Sequence, residues 1–261
     1  MGSRKFRVQS LLLSGFSTLG GTRILRVPVL RGLFVHAYFL YKRHIEDPFF
    51  DLLSRNRELF GEGHVLDVGA NIGYTAVLFG EFFTSHSIHA FEPEEANFAI
   101  LSRRCRANRR IICNKIAVSD RSATQFLQIN PAHHADHKLT ETPGEGAVPV
   151  PTTTVDAYVE QHLHGEPIAF VKIDVQGHEL QVLEGMSRTL RDNDRLVVCV
   201  EYSPSPPGGD VSRIPDRMAD LGFSCMRLGP KGELREVTDT SAILDPDEAY
   251  CDLVFARRTA P

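Results

Sequence analysis

The residues best suited to chemistry stand at the ends of predicted strands, beginning with an acid that is followed by two glycines. The stretch VLDVGANIGYTAVL (65–78) is apolar up to Asp67, passes through Gly69, Asn71 and Gly73, and becomes apolar again. Its D-x-G-x-x-x-G spacing matches neither the G-x-G-x-x-G loop that binds pyrophosphate nor the phosphate loop GxxxxGKS/T. Glycine still lets a backbone approach a ligand closely. The carboxylate of Asp67 favours a cationic partner, such as an amino-acid ammonium or a sulfonium.

A second acid follows at the end of the next predicted strand. Glu92 closes SIHAFEP (87–93), downstream of Gly73 at the distance expected of a nucleoside site. An acid at this place in a nucleoside-binding α/β fold accepts hydrogen bonds from ribose hydroxyls. A ribose, a cationic amino-acid-like arm and no pyrophosphate together describe S-adenosylmethionine. The alternative is a generic strand–turn–helix junction, which Glu92 makes less favoured.

Two more acids end predicted strands and are suited to acid–base chemistry. The strand AFVKIDV (169–175) is apolar apart from Lys172 and Asp174, which point to one face because they are two residues apart. Glu201 follows a run of apolar residues in RLVVCVEYS (195–203). A charge within a strand is costly unless it is paired, so a buried lysine–carboxylate pair that only holds the sheet is the structural alternative.

Histidines supply further candidates for moving a proton. His178 opens the helix predicted after Asp174, and His137 stands in a segment without periodicity (130–149), interpreted as a lid, an acceptor-binding loop or a disordered loop. The HHADH cluster of that segment has ligand types suited to a metal, but its spacing matches no metal site, so no metal is predicted. The candidates for orienting a bound acceptor and removing a proton from it are Asp174, Glu201, His178 and His137.

Strands and helices alternate from residue 64 onward, and this alternation must position the acids. Helices are predicted over 74–83, from Pro93, and over about 177–190. The arrangement predicts an α/β fold with a doubly wound, mostly parallel, seven-stranded Rossmann-like sheet and a closing antiparallel strand. In such a sheet, ligands bind beyond the carboxyl ends of the strands. The predicted strands are HVLDV (64–68), SIHAFEP (87–93), IICNKIAVS (111–119), ATQFLQI (123–129), AFVKIDV (169–175), RLVVCVEYS (195–203), FSCMRL (223–228) and CDLVFAR (251–257).

Composition narrows the class of protein. The chain has 261 residues, of which 42% are hydrophobic and 24% charged, so it can bury a full globular core. A net charge of −4 gives no general attraction to nucleic acid, and no nucleic-acid partner is expected. The five cysteines are scattered and form no CxxC pair, which argues against disulfides and structural zinc. Buried thiols in a reducing, cytoplasmic compartment are expected.

The N-terminal segment differs from the rest of the chain because it is basic and carries no acid up to residue 43. Residues 1–46 are predicted to form a basic helical extension, and residues 47–261 the α/β domain. Peripheral contact of residues 1–45 with a membrane surface, and a transit-like segment, are the alternatives. The apolar runs in this segment are too short to span a bilayer.

Four stretches of the sequence resemble class I S-adenosylmethionine-dependent methyltransferases of the FkbM type. They are VLDVGANIGYTA (65–76), FEP (91–93), AVSD (117–120) and KIDVQGHELQVLEGM (172–186), and the last is the most specific. The resemblance covers about residues 47 to 257. It implies an S-adenosylmethionine-dependent methyltransferase. Because members of the family methylate hydroxyls of sugars, polyketides and other small molecules, it also implies O-methylation of a small-molecule or glycan acceptor.

The same resemblance implies roles for individual residues of the cofactor site. These are Asp67, Gly69, Asn71 and Gly73 along the methionine arm, Glu92 at the ribose, and Ala117, within the segment 114–120, beside the adenine.

Several alternatives to this function stay open. One alternative is that the protein methylates nitrogen or carbon instead of oxygen. The NPPY-like tetrad expected for N-methylation of an amide or a base is absent after KIDV. A nucleoside-binding module without catalysis would keep the fold and lose the reaction. A membrane-attached scaffold would use the basic N-terminus. Pairing of the closing strands between two subunits would give a homodimer.

Overall fold

The computed structural model describes residues 48–130, 137–203, 211–240, 243–245 and 247–257. The predicted N-terminal extension (1–46) lies outside the described residues, and so do three members of the HHADH cluster, namely His133, His134 and Asp136. The boundary predicted at residue 47 therefore stays a prediction.

Twelve strands and seven α-helices occur within the described ranges. The strands are β1 (His64–Val68), β2 (Ile88–Phe91), β3 (Ile111–Asn114), β4 (Ala117–Val118), β5 (Thr124–Gln128), β6 (Lys138–Thr140), β7 (Ala147–Thr153), β8 (Ile168–Ile173), β9 (Val197–Tyr202), β10 (Phe223–Leu228), β11 (Leu234–Glu236) and β12 (Cys251–Arg257). The helices are α1 (Phe49–Arg55), α2 (Tyr74–Phe82), α3 (Glu95–Cys105), α4 (Val155–His162), α5 (Glu179–Glu184), α6 (Ser187–Asp192) and α7 (Ile214–Asp220).

The large sheet confirms the predicted α/β architecture. Its strand order is β11-β10-β12-β9-β8-β1-β2-β3, and β3, β2, β1, β8 and β9 are parallel. The predicted closing pair is present, because β12 runs antiparallel to both β9 and β10. The predicted count of seven strands is wrong for the described residues, since β11 adds an eighth strand beside β10. Strand β11 is therefore the edge strand of the large sheet on this side.

A second, four-stranded sheet with the order β4-β7-β5-β6 was not predicted. The strand predicted over 111–119 breaks after Asn114, and its second part, β4, pairs with β7 instead of extending the large sheet. Part of the segment 130–149 is regular, because β6 pairs with β5. The interpretation of that segment as irregular was therefore wrong for residues 138–140 and 147–149.

Two predicted helices have different boundaries in the structure. The helix predicted from Pro93 begins at Glu95, because the side chain of Glu94 accepts a hydrogen bond from the Asn97 N–H at 2.7 Å and caps it. The helix predicted over 177–190 is two helices, α5 and α6. Gly185 lies between them, and a Cβ there would stand 2.1 Å from the Ser119 carbonyl oxygen.

The core is divided by the large sheet into two apolar layers. In β1, Leu66 faces one layer and Val65 the other, and both side chains are fully buried. Strands that are covered on both faces are expected to be apolar throughout, which explains the continuous runs of the sequence. All five cysteines are free thiols and three of them are buried, as expected. Within the described ranges, no helix has the length and apolarity needed to cross a membrane.

Candidate active site

The glycine turn after β1 is built by contacts between strand ends. Gly69 has a φ of 83°, and a Cβ at this position would lie 1.8 Å from the carbonyl oxygen of Asp174. The Asp174 N–H donates to the carbonyl of Val68 at 3.0 Å, so the end of β8 stays against the end of β1. Glycine is therefore required at residue 69 by the protein's own backbone, and not by a ligand alone.

The rest of the turn connects β1 to Glu92. Asn71 has a left-handed φ of 49°, and its N–H donates to Glu92 Oε2 at 2.9 Å. The other carboxylate oxygen of Glu92, Oε1, accepts from the Glu94 N–H at 2.9 Å. Gly73, with a φ of 86°, precedes α2 and packs against Leu101. The turn and the end of β2 thus hold one buried carboxylate between them.

Burial controls the charge of Glu92. The residue is 6% exposed, and burial raises its pKa to about 7, against the lowering effect of the two backbone donors. The side chain of Asn97 also donates to Glu92. Because a carboxylate has about four acceptor sites, capacity for a further donor remains. A ligand with two neighbouring hydroxyls matches this chemistry.

Asp67 is fully buried and has a protein cation nearby. Its Oδ2 accepts from Thr75 Oγ1 at 2.6 Å, and its Oδ1 lies 4.0 Å from the Nζ of Lys172 with no hydrogen-bond partner in the described structure. Burial raises the pKa of Asp67, and the charge of Lys172 opposes the shift. The cationic partner expected for Asp67 is thus supplied at least in part by Lys172.

A connected group of polar side chains extends from Lys172 across the ends of β8 and β9. Lys172 Nζ donates to Asp174 Oδ2 at 2.9 Å, so the lysine–carboxylate pair considered as the structural alternative is present. The side-chain amide of Gln176 donates to Asp174 Oδ1 at 2.9 Å and to Glu201 Oε1 at 3.2 Å. Asp174 and Glu201 are therefore held in one arrangement, and the side chain of Asp174 is 31% exposed.

The environment of Glu201 favours its protonated form. Burial raises the pKa of Glu201 to about 8, and the negative charges of Asp174 and Asp252 contribute in the same direction. Asp252 stands directly opposite Glu201 in the pairing of β12 with β9. A carboxyl group with a pKa near working pH is well suited to exchange a proton with a substrate.

The contacts described for three predicted site residues lie away from these acids. His178 precedes α5, where its Nε2 is 2.8 Å from Ser119 Oγ, and burial lowers its pKa. His137 precedes β6, and its Nδ1 accepts from the Asn130 N–H at 3.1 Å. Ala117 is buried in the small sheet beside Leu127 and Val150. Their roles stay predictions, since none of these contacts involves Asp67, Glu92, Asp174 or Glu201.

Comparison with known proteins decides the family. The family model described as "Methyltransferase FkbM domain" matches residues 67–225, which is more than half of the chain. The chain belongs to the FkbM methyltransferase family. The match begins at Asp67 and contains Glu92, Asp174 and Glu201, so the four acids of the candidate site lie within the family domain.

Two curated methyltransferases are similar to this FkbM methyltransferase. One is the hexuronic acid methyltransferase AglP of Haloferax volcanii, 31% identical over 150 residues, which are 57% of this chain and 59% of that protein. The chain thus spans less than two thirds of AglP. The other is the methyltransferase sdnD of Sordaria araneosa, 27% identical over 225 residues, or 74% of this chain and 84% of that one. An rRNA methylase structure from Streptococcus thermophilus superposes with a TM-score of 0.47 at 14% identity, covering 82% of this chain and 98% of that one.

Sequence reasoning missed three residues of the candidate site. Thr75 binds Asp67, Gln176 joins Asp174 to Glu201, and Asp252 faces Glu201 from β12. Gln176 could have been noticed because it stands inside the KIDVQGHE motif. Asp252 depends on the register of two strands that are far apart in sequence, and no local signal reveals it.

Two features of the described structure bear on other kinds of site. The described residues contain no group of three or more histidine, cysteine or acidic side chains placed to hold a metal ion. A cleft of about 190 Å³ lies around Asn56, Arg195 and Arg257. It borders the first residue of β9 and therefore lies at the opposite end of the sheet from the acids.

Proposed function

We propose that this FkbM methyltransferase uses S-adenosylmethionine to methylate a hydroxyl group of a sugar or another small molecule. The observation that carries the proposal is the placement of two different acidic groups at one edge of the sheet. Glu92 stands at the end of β2, and the Asp174–Glu201 pair stands at the ends of β8 and β9, with the glycine turn after β1 between them. A nucleoside cofactor and an acceptor molecule that bind side by side need two separate groups of side chains of this kind.

The side chains of this edge fit S-adenosylmethionine. Glu92 is a buried carboxylate, oriented by two backbone donors, with capacity left for the ribose hydroxyls. Asp67 offers a buried oxygen without a hydrogen-bond partner close to the glycine turn, as a positively charged methionine arm requires. We propose that Gly69, Asn71 and Gly73 line that arm and that Ala117 lies beside the adenine. S-adenosylmethionine supplies an electrophilic methyl group on a sulfonium sulfur.

The proposed roles of the acids follow from their partners. Asp174 has donors on both oxygens, from Lys172 and Gln176, so it is a weak base and is suited to orient the acceptor. Glu201 has a pKa suited to proton transfer, raised to about 8. In its ionised form it would accept the proton of the acceptor hydroxyl when the methyl group passes to the hydroxyl oxygen and the sulfur–methyl bond of the cofactor breaks. Most of the rate would come from holding the two reacting groups together.

Charge favours a hydroxyl over a carboxylate as the methylated group. Among the charged groups that shift the pKa values of Asp67 and Glu201, the acids Asp174, Asp252 and Glu179 outnumber the one cation, Lys172. An acceptor carboxylate would bring another negative charge into this partly buried place, where like charges repel strongly. A hydroxyl is neutral and can donate to either carboxylate. A hexuronic acid, the compound named for the similar AglP, carries both kinds of group.

Calorimetric binding of S-adenosylmethionine and S-adenosylhomocysteine tests the cofactor. Glu92→Ala should weaken both affinities about tenfold or more, because hydrogen bonds to a charged acceptor are lost. Glu95→Ala is the matched control, since Glu95 is an exposed acid three residues further along the chain. Thermal unfolding of each variant shows whether the fold is retained. No binding by folded wild-type protein would overturn the cofactor assignment.

Transfer of a labelled methyl group tests the reaction. Methyl glucuronoside and its carboxyl-reduced glucoside are suitable probes, and NMR distinguishes a methyl ether from a methyl ester. We expect ether products, and we expect Asp174→Ala and Glu201→Ala to lower turnover strongly with cofactor affinity nearly intact. An ester product would contradict the hydroxyl acceptor. Cofactor binding without transfer to any sugar or polyol hydroxyl would favour a nucleoside-binding module.

A further inference from the structure

Gln176 has a backbone conformation that glutamine rarely adopts. Its φ is 57°, and the φ of the next residue, Gly177, is 95°, so two left-handed residues follow one another after β8. A residue with a Cβ is disfavoured in this region, and such strain is concentrated at functional sites. Glycine at residue 176 would relieve the strain. The side chain of Gln176 is therefore the feature that needs an explanation.

The backbone of the turn that contains Gln176 is fixed by hydrogen bonds to a buried acid. Glu179 is 2% exposed, and its Oε1 accepts from the N–H groups of Val175 at 3.2 Å and of Gly177 at 3.0 Å. The same carboxylate oxygen thus binds the backbone on both sides of Gln176. By fixing the backbone of the turn, Glu179 sets the direction in which the side chain of Gln176 extends from it.

That direction brings one amide nitrogen to two acids. The Nε2 of Gln176 has two hydrogens, and it lies 2.9 Å from Asp174 Oδ1 and 3.2 Å from Glu201 Oε1. A carboxyl group keeps an oxygen that accepts hydrogen bonds in both its ionised and its protonated form. The amide can therefore bind both acids whatever the charge of Glu201. For Glu201, this is the one side-chain hydrogen bond found among the described residues. Asp174, in contrast, is also held by Lys172.

We propose that Gln176 is a positioning residue for methyl transfer, which holds the carboxyl groups of Asp174 and Glu201 in one arrangement toward the acceptor. The left-handed backbone is retained because it places the amide between the two acids. The effect on turnover rests on the proposed function, whereas the effect on the titration of Glu201 does not require any substrate.

The amide also tunes the proton affinity of Glu201. A donor stabilises the ionised form of a carboxyl group, so removing it should raise the pKa of Glu201 further above the usual range. A hydrogen bond to a charged group is worth roughly one pH unit or more in this sense. Because the pKa of Glu201 is already about 8, a rise of about one unit would lower the ionised fraction at neutral pH about tenfold.

Gln176→Met and Gln176→Gly test the proposal in the full chain. Methionine keeps the length of the side chain and the backbone strain but has no amide, whereas glycine removes both the amide and the strain. Gln181→Met is the matched control, because Gln181 lies in α5 and has no contact with Asp174 or Glu201 among the hydrogen bonds of the described residues. The first readout is the ¹³C NMR titration of labelled glutamate carboxyls, with the Glu201 signal assigned by Glu201→Gln.

We expect both Gln176 variants, but not Gln181→Met, to shift the Glu201 titration upward by about one pH unit. Turnover at neutral pH should fall about tenfold, and its rise at alkaline pH should move upward by about one pH unit. Affinity for S-adenosylhomocysteine should be unchanged. An unshifted Glu201 titration in folded Gln176→Met overturns the proposal. Wild-type behaviour of Gln176→Gly would do the same. Failure of the wild type to bind cofactor would instead refute the proposed function, and the titration would still be informative.

Discussion

Glu201 combines the burial and the neighbours that a proton carrier needs, and its ionisation should control the rate. The pKa of this carboxyl is raised to about 8, so the group is mostly protonated at neutral pH and becomes ionised as the pH rises. If Glu201 accepts the hydroxyl proton, turnover at saturating substrate should increase with pH and level off above about 8. Glu201→Gln, which cannot ionise, should lose the increase. A profile that Glu201→Gln leaves unchanged would transfer the role to Asp174, His178 or His137.

Glu92 makes a separate prediction, for binding and not for rate. Its pKa is about 7, and the ionised form is the better acceptor for two ribose hydroxyls. Affinity for S-adenosylhomocysteine should therefore strengthen as the pH rises through about 7. Calorimetry over this range measures it, and Glu92→Gln should give a weaker affinity that varies less with pH. A wild-type affinity that is constant across the range would argue against contact between Glu92 and the ribose.

The site was predictable from sequence where a single residue breaks an apolar pattern. Asp67, Asp174 and Glu201 each interrupt a hydrophobic run, and the sheet does bring them to one edge. What could not be predicted depends on side-chain direction and on distant pairing. Gln176 contacts Glu201 because of a left-handed turn, and Asp252 faces Glu201 because of strand register. Neither fact is encoded by local spacing.

At the scale of secondary-structure elements, the junction of β1 with β8 makes a specific demand on Gly69. A Cβ at Gly69 would be 1.8 Å from the backbone oxygen of Asp174, and the backbone cannot move without opening the β1–β8 pairing. Gly222 has nearly the same φ, 81° against 83°, but nothing lies within 4 Å of its Cβ position.

Gly69→Ala and Gly222→Ala therefore separate overlap from backbone strain. Gly222→Ala should lower the free energy of unfolding by about 1–2 kcal/mol, the usual cost of a left-handed alanine. Gly69→Ala should cost several kcal/mol, since roughly 1–3 kcal/mol of overpacking is added. Urea unfolding of both variants measures the difference. Equal losses would mean that the two strand ends move apart easily, and the Asp174–Glu201 arrangement would then be less rigid than the structure indicates.

The succession of elements was predictable, but their boundaries and the second sheet were not. Alternating apolar strands and amphipathic helices indicate a parallel sheet whatever the details of packing. The strand β7 was missed because it contains Pro149 and Pro151, which are rare in strands. The break between β3 and β4 was missed because both parts are apolar, and only tertiary pairing assigns them to different sheets.

At the scale of the whole molecule, two histidines and a tyrosine from β1, β2 and α4 meet in the interior. The rings of His64 and His89 are 5.3 Å apart, and His89 Nδ1 lies 2.8 Å from the hydroxyl of Tyr158. That hydroxyl donates to Asn114 Oδ1 at 3.1 Å, at the end of β3. Burial lowers the pKa of His89 to about 4, and the neighbouring His64 and His162 lower it in the same direction. The native protein therefore holds His89 in its neutral form.

Acid should weaken the fold through His89. Because its pKa falls from 6.5 in the unfolded chain to about 4 in the native state, the stability it contributes is complete above pH 6.5 and is lost as the pH falls toward 4. A shift of this size corresponds to about 3 kcal/mol. His89→Asn keeps a polar group near Tyr158 but cannot be protonated, so it should be less stable at neutral pH and lose less stability on acidification. Urea unfolding at several pH values measures both effects. His86→Asn is the control, because the ring of His86 lies 5.5 Å from that of His64 but is partly exposed. If His89→Asn loses as much stability in acid as the wild type, then protonation elsewhere, and not the burial of this imidazole, sets the acid limit of the molecule.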